Sequence, residues 1–118
     1  MTSRRGRRPS SMEAALRQLT VLYHHPEDPA AFDKHYREVH ARLAAKAPGL
    51  ASYIVTWCQP GPDGSKPPYH LIATLTWDSE QDLRTALRSP EFKAAGDDLP
   101  NFAAAGAQLI FGDPERIV

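Results

Sequence analysis

The chain has 118 residues, 42% of them hydrophobic, and carries 14 basic and 14 acidic side chains. This length supports one domain with a single modest core. Cys58 is the only cysteine, which excludes an internal disulfide and a zinc cluster built from thiolates. No apolar run approaches the roughly 18–20 residues that cross a bilayer, and the N-terminus lacks the apolar core of a signal peptide. We therefore expect a cytoplasmic protein without membrane contact.

The charge is unevenly placed along the chain. Four arginines stand near the start: Arg4, Arg5, Arg7 and Arg8. Without them the chain has 10 basic and 14 acidic side chains, and an acidic body argues against nucleic-acid binding. Residues 1–17 are predicted to form a basic arm, in which Ser10 and Glu13 fit a capping box and predict a short helix. An alternative is that translation starts at Met12.

The first predicted strand covers residues 18–23 and is followed by a long helix over residues 29–47. Asp28 can cap this helix, and a proline in its first turn loses no hydrogen bond. Pro48 and Gly49 are expected to end it. One apolar stripe runs along the helix and consists of Phe32, Tyr36, Val39, His40, Leu43 and Ala47. Because residues four apart are neighbours on a helix, Tyr36 and His40 are predicted to lie side by side on the buried face.

Strands are predicted over residues 50–58 and 69–77, separated by a proline-rich loop. Asp78 or Ser79 can cap a second helix that reaches Arg88. A short helix is predicted to restart at Ser89 and to break at Pro100. The last strand is expected at residues 105–111, and residues 113–118 form a tail.

The predicted order β-α-β-β-α-β is that of a ferredoxin-like, split-βαβ fold, in the α+β class. Its four-stranded antiparallel sheet carries both helices on one face. The other face is too rich in isoleucine, valine and aromatic residues for water to cover comfortably. Pairing with the same face of a second copy, as in a dimeric α+β barrel, is the simplest remedy, so we expect a homodimer.

No familiar catalytic motif is present in the sequence. The strongest single candidate for a catalytic residue is His40, because it lies on the apolar stripe beside Tyr36. Partial burial is expected to lower its pKa and keep the imidazole neutral, able to accept a proton. Tyr36 is predicted to be its hydrogen-bonding partner. From the pattern alone, a buried histidine with only a structural role is the stronger interpretation.

A pocket for a small hydrophobic molecule is predicted between the helices and the sheet. The residues expected to line it are Tyr23, His24, Trp57, Tyr69 and Phe102. His35 is expected to be exposed on the flank of the first helix. A metal site made of His24, His40 and Asp33 has no fixed ligand spacing, so no metal is predicted.

Several segments together resemble the EthD family, named for ethyl tert-butyl ether degradation. They are residues 19–23 (LTVLY), 33–40 (DKHYREVH), 48–50 (PGL), 68–73 (PYHLIA), 77–79 (WDS), 89–90 (SP) and 101–102 (NF). The similarity covers residues 18–112. The family's helix usually reads Tyr-x-x-x-His-x-Pro-Leu, which Tyr36, His40 and Leu43 match, while Arg42 replaces the proline.

The resemblance implies a dimeric α+β barrel and strengthens a functional role for His40. It also implies association with oxidative catabolism or secondary metabolism, so the expected class is oxidoreductase-associated, or a lyase or isomerase. The leading hypothesis is an enzyme without a cofactor that acts on a small hydrophobic, oxygenated compound, with His40 as acid or base. The alternatives are a non-catalytic dimer that binds such a compound, and a haem-binding barrel with His40 or His70 as axial ligand.

Overall fold

The computed structural model describes residues 16–118, which form one four-stranded antiparallel sheet with helices on one face. The strands are β1 (Arg17–Tyr23), β2 (Leu50–Trp57), β3 (Leu71–Trp77) and β4 (Ala107–Gly112), in the order β2-β3-β1-β4. This order confirms the predicted ferredoxin-like fold. The predicted short helix of the arm lies outside the described residues, and within them no helix is long and apolar enough to cross a membrane.

The first helix has three parts: α1 (Pro29–His35), one π-helical turn (Tyr36–His40) and α2 (Ala41–Ala44). Asp28 caps it as predicted, since its carboxylate accepts a hydrogen bond from the Ala31 amide at 3.1 Å. The prediction of an uninterrupted α-helix was wrong. In the π turn the Ala41 amide donates to the Tyr36 carbonyl, five residues back, and the helix ends at Ala44, three residues early.

This π turn also moves the buried stripe of the helix. An i→i+5 hydrogen bond places one more residue in the turn than an α-helix does, so every later position is rotated relative to the α-helical prediction. Val39 was expected on the stripe but is 40% exposed. His40 and Ala44 are buried, and Ala44 takes the place predicted for Leu43.

Two more helices follow β3, α3 (Glu80–Leu87) and α4 (Pro90–Phe102). Ser79 caps α3 and Ser89 caps α4, each accepting a backbone hydrogen bond through its hydroxyl. The prediction that Pro100 ends the last helix was wrong. Proline removes a single helical hydrogen bond, and the helical pattern resumes beyond it, where the Ala103 amide donates to the Leu99 carbonyl at 2.8 Å. Packing of Phe102 against the core holds this final turn.

The sheet has two unlike faces, because side chains alternate along each strand. The face toward the helices is apolar and buried in its two central strands, where it consists of Leu19, Val21, Tyr23, Leu71, Ala73, Leu75 and Trp77. The opposite face carries Ile54, which is 61% exposed, and Ile110, which is 51% exposed. The site described next lies on the helix-covered side.

Candidate active site

A buried histidine–aspartate pair joins the first helix to the last one. His40 ends the π turn, and its Nδ1 lies 3.0 Å from Oδ2 of Asp98 on α4. Only 6% of either side chain is exposed. The two residues are 58 positions apart in sequence, so the packing of α4 against the first helix creates this pair.

Three groups direct hydrogen bonds at the Asp98 carboxylate. Besides His40, the Asn101 amide donates to Oδ1 at 3.0 Å, and Nε2 of His35 lies 2.9 Å from Oδ1 and 3.0 Å from Oδ2. Burial by itself raises the pKa of Asp98, but the hydrogen bonds from Asn101, His35 and His40 outweigh it and leave the pKa below its ordinary value. Asp98 is therefore a carboxylate at neutral pH.

The carboxylate fixes the tautomer of His40. An ionised carboxylate only accepts hydrogen bonds, so Nδ1 of His40 carries the proton and Nε2 presents a lone pair. Burial lowers the pKa of His40 below its usual 6.5, against the opposing pull of Asp98. The imidazole is neutral at neutral pH and able to accept a proton at Nε2.

Three tyrosine hydroxyls belong to the same site. The hydroxyl of Tyr23 lies 3.4 Å from Nε2 of His40, and the hydroxyls of Tyr36 and Tyr53 are 2.6 Å apart. Burial raises the pKa of all three tyrosines above the ordinary phenol value, so they remain protonated donors. The sequence had predicted Tyr36 as the partner of His40. Tyr36 instead packs its ring against the imidazole at 5.2 Å, while Tyr23 and Asp98 hold the hydrogen-bonding positions.

His40 and the three tyrosines line a small cleft of about 70 Å³ between the helices and the sheet. The rest of its lining is aliphatic, aromatic or glycine: Leu19, Val21, Ala44, Ala73, Leu75, Phe92, Ala95, Gly96, Leu99 and Leu109. Gly96 and Leu109 are the exposed residues of the lining, so the cleft opens between α4 and β4. Such a lining suits a small apolar ligand with one or two oxygen atoms.

The residues predicted to line a pocket fall into two groups. Tyr23 lines the cleft itself, and Phe102 packs beside it with its ring 4.7 Å from that of His40. Trp57 lies in an adjoining groove that shares Tyr36 and Tyr53 with the cleft. His24 and Tyr69 lie away from the cleft and pack against each other with ring centroids 5.4 Å apart.

The remaining histidines have partners of their own. The prediction that His35 is exposed was wrong, because its ring stacks on Phe102 at 5.1 Å and reaches Asp98. His70, the other residue weighed as a haem ligand, lies 2.8 Å from Asp33 and outside the cleft. In residues 16–118 no three His, Cys, Asp or Glu side chains are arranged to hold a metal ion.

Sequence reasoning did not select Asp98 as a site residue. Asp98 stands three residues after Ala95 and four before Phe102, so it is an acidic residue on the apolar face of a helix. A buried carboxylate needs hydrogen-bonding partners. An acidic residue on the apolar face of a helix was therefore the signal in the sequence that could have identified Asp98.

The fold and the site define a small α+β protein with a buried histidine–aspartate pair beside an apolar cleft. Comparison with known proteins then assigns the family. The EthD domain family model matches residues 24–106, and the chain belongs to the EthD family.

Three similar proteins illustrate this relationship. An uncharacterized 11.0 kDa protein from the thcB–thcC intergenic region of Rhodococcus erythropolis is 35% identical over 101 residues, which are 86% of this chain and 97% of that protein. An ethyl tert-butyl ether degradation (EthD) family protein from Bacillus halodurans has a TM-score of 0.78 and 36% identity, covering 84% of this chain and 98% of its own. SnoaB, a cofactor-independent oxygenase from Streptomyces nogalater, shares the fold at a TM-score of 0.60 and 16% identity. The match covers 89% of this chain and 97% of the SnoaB chain.

Proposed function

We propose that this chain is an acid–base enzyme that acts on a small, mainly apolar compound carrying an oxygen atom. The observation that carries the proposal is the buried Asp98–His40 pair, whose unprotonated Nε2 lies beside the Tyr23 hydroxyl on an otherwise apolar cleft. A carboxylate that holds an imidazole in one tautomer is a recurrent way to make histidine a general base. The reaction class is proton abstraction next to an oxygen-bearing group.

The base in this scheme is Nε2 of His40. It accepts a proton from a C–H or O–H group of the bound compound, and the resulting imidazolium is stabilised by the Asp98 carboxylate through Nδ1. Burial keeps the resting imidazole uncharged, so the base is ready at neutral pH. The same imidazolium can then return the proton to another atom of the substrate, as an isomerase or lyase requires.

The tyrosines would stabilise the charge that proton abstraction creates. Loss of a proton beside a carbonyl or phenol moves negative charge onto oxygen, and a protonated hydroxyl is a suitable donor to it. Tyr36 and Tyr53 form a hydroxyl pair at 2.6 Å on the cleft, and Tyr23 stands next to His40. The mainly aliphatic lining lowers the local dielectric and strengthens each of these hydrogen bonds.

An oxidative version of the reaction starts with the same step. A deprotonated, electron-rich substrate can itself pass electrons to molecular oxygen, so the protein need not hold a redox group. The fold relative SnoaB is a cofactor-independent oxygenase. We therefore propose catalysis without a bound cofactor, in oxidative catabolism or secondary metabolism.

The functional unit is proposed to be a homodimer joined through the open face of the sheet. Ile54 and Ile110 lie on that face and are 61% and 51% exposed, and neither belongs to the cleft lining. Burying them against the same face of a second copy removes apolar surface from water on both partners.

A nitrobenzisoxazole tests the base directly. A base removes its ring C–H proton, and the C–H electron pair forms the C≡N bond of a nitrile. The N–O bond breaks with its electron pair on oxygen, so a coloured cyanonitrophenolate forms without any cofactor. We expect saturable turnover by the wild type and a loss of about 100-fold in His40→Gln. Because the pKa of His40 is lowered, the rate should rise with pH to a plateau, and this plateau should begin at a lower pH than for a histidine of ordinary pKa.

His24→Gln is the matched control, since His24 lies outside the cleft. It should turn over the probe like the wild type. Binding of the probe, measured by quenching of tryptophan fluorescence, should survive in His40→Gln. Wild-type protein that binds the probe but turns it over no faster than His40→Gln would contradict catalysis and favour the non-catalytic binding dimer.

A further inference from the structure

We propose that the groove between the first helix and β2 binds an anionic group of the substrate through Arg37, so that the substrate is a small unsaturated or aromatic carboxylate. The inference rests on the proposed function, because it narrows the class of compound that reaches His40. Its test measures binding alone and does not depend on turnover. Arg37 is then a residue that determines specificity.

The groove has one helical wall and one sheet wall. Arg37, Ala41 and Ala45 follow one another at intervals of four residues and line it from the first helix. Alternate residues of β2 line it from the sheet, and these are Tyr53, Val55 and Trp57. Two of the three helical positions are alanines, which leaves space between the walls. β2 is an edge strand, and Arg37 and Ala45 are exposed, so the groove opens to solvent.

The groove supplies the volume that the cleft lacks. The cleft has about 70 Å³, well below the range of roughly 300–1,000 Å³ that is typical of small-molecule sites. The groove has about 360 Å³ and lies within that range. Tyr36 and Tyr53 line both spaces, and their hydroxyls are 2.6 Å apart. A bound compound therefore places its reactive end in the cleft beside His40 and most of its body in the groove.

Arg37 is the charged residue of the groove lining, and no carboxylate of residues 16–118 forms an ion pair with it. Its guanidinium carbon lies 4.2 Å from the centre of the Trp57 ring. Asp33, one turn earlier on the helix, is bound instead by His70 at 2.8 Å. A guanidinium on an aromatic face keeps N–H donors for another acceptor, and its fork matches the two oxygens of a carboxylate. Arg37 is therefore held in a position that suits an anion.

The sheet wall indicates what the rest of the compound is like. Trp57 and Tyr53 lie four residues apart on β2, which is about 13 Å of strand. A ring with a short carboxylated chain has a length of this order. The Tyr53 ring and the Val55 side chain offer it apolar surface, and the tyrosine hydroxyls can donate to a second oxygen atom.

The experiment compares trans-cinnamate with its uncharged isostere trans-cinnamamide, by isothermal titration calorimetry on the full-length protein. The wild type should bind cinnamate about tenfold more tightly than cinnamamide, because only the carboxylate forms charge-assisted hydrogen bonds with Arg37. Arg37→Gln should weaken the binding of cinnamate about tenfold and leave that of cinnamamide unchanged. Arg37→Lys keeps the charge without the fork and should give an intermediate affinity for cinnamate.

Arg42→Gln is the matched control, since it removes the same charge from an exposed position of the same helix outside the groove. It should bind both compounds like the wild type. In ¹⁵N-labelled protein, cinnamate should shift the indole N–H signal of Trp57, which is assigned by its absence in Trp57→Phe. The signal of Trp77 should stay in place, because that ring is buried and donates to the Pro48 carbonyl.

Two results would overturn the proposal: a wild type that binds cinnamate no more tightly than cinnamamide, and an Arg37→Gln variant that keeps the preference for cinnamate. His40→Gln should bind cinnamate like the wild type, because the anion contacts Arg37 and not the base. Failure of the turnover assay therefore leaves the binding preference in place, and loss of the binding preference leaves the role of His40 in place.

Discussion

The two faces of the sheet are built from the same strands but have opposite surroundings. On the helix-covered face, Leu71 and Trp77 are fully buried, and the covering helices bring His40 and Asp98 together. On the open face, Ile54 and Ile110 remain more than half exposed. The covered face can build a desolvated acid–base site, because both layers of that site belong to one chain. The open face offers apolar surface, which suits association.

The two histidine–aspartate pairs, His40–Asp98 and His70–Asp33, also differ in how exposed their side chains are. The His40–Asp98 pair has 6% of each side chain exposed, and the Asp98 carboxylate has further partners. The His70–Asp33 pair is similarly short at 2.8 Å, but its side chains are 18% and 30% exposed. Hydrogen-bond length is alike in the two pairs, so burial is what distinguishes them.

The largest expected effect comes from removing the buried carboxylate. Asp98→Ala leaves the donors of His40, Asn101 and His35 without their acceptor and should lower the free energy of unfolding by about 3 kcal/mol. Asp33→Ala, the matched change in the more exposed pair, should cost about 1 kcal/mol or less. Urea unfolding followed by circular dichroism measures both. Equal losses of unfolding free energy in the two variants would show that burial does not make the His40–Asp98 pair more stabilising than the His70–Asp33 pair.

An effect of intermediate size is expected on dimer stability when a charge is placed on the open face of the sheet. In a two-fold dimer, Ile54→Lys places two added charges in the interface and should raise the dimer dissociation constant by about 100-fold, roughly 2.7 kcal/mol. Sedimentation velocity over a concentration series measures this change. Gln81→Lys adds the same charge on exposed α3 and should leave the dimer intact. A wild type that is monomeric at every concentration would refute the interface itself.

The smallest effect concerns the mouth of the cleft. A Cβ atom added at Gly96 would meet no atom within 4 Å, and glycine inside a helix is less stable than alanine. Gly96→Ala should therefore raise the free energy of unfolding by about 0.5–1 kcal/mol while narrowing the opening.

The control for this change is Gly64→Ala, also in open space but at a φ of +80°. It should destabilise by about 1 kcal/mol, since a residue with a Cβ is strained in that conformation. Thermal unfolding distinguishes the two signs. A stabilised Gly96→Ala variant with weaker probe binding would indicate that this glycine keeps the cleft open.

The sequence alone was enough to predict the fold. A run of β-forming residues identified β1, and period-two alternation identified β3. The capping residues Asp28 and Ser79 marked two helix starts, because these signals are local. The prediction that the last helix ends at Pro100 was wrong, because packing of Phe102 against the core outweighed the local preference to end the helix there.

For the site, the sequence identified the side chains of the first helix but not their arrangement. Spacing placed Tyr36 and His40 on the buried face, and burial of a histidine implied a lowered pKa. The π turn, the Asp98 carboxylate beneath His40 and the contact of His35 with the same carboxylate were decided by tertiary structure. These features depend on how a helix near residue 98 packs against one near residue 40, and no local pattern encodes a contact across 58 residues.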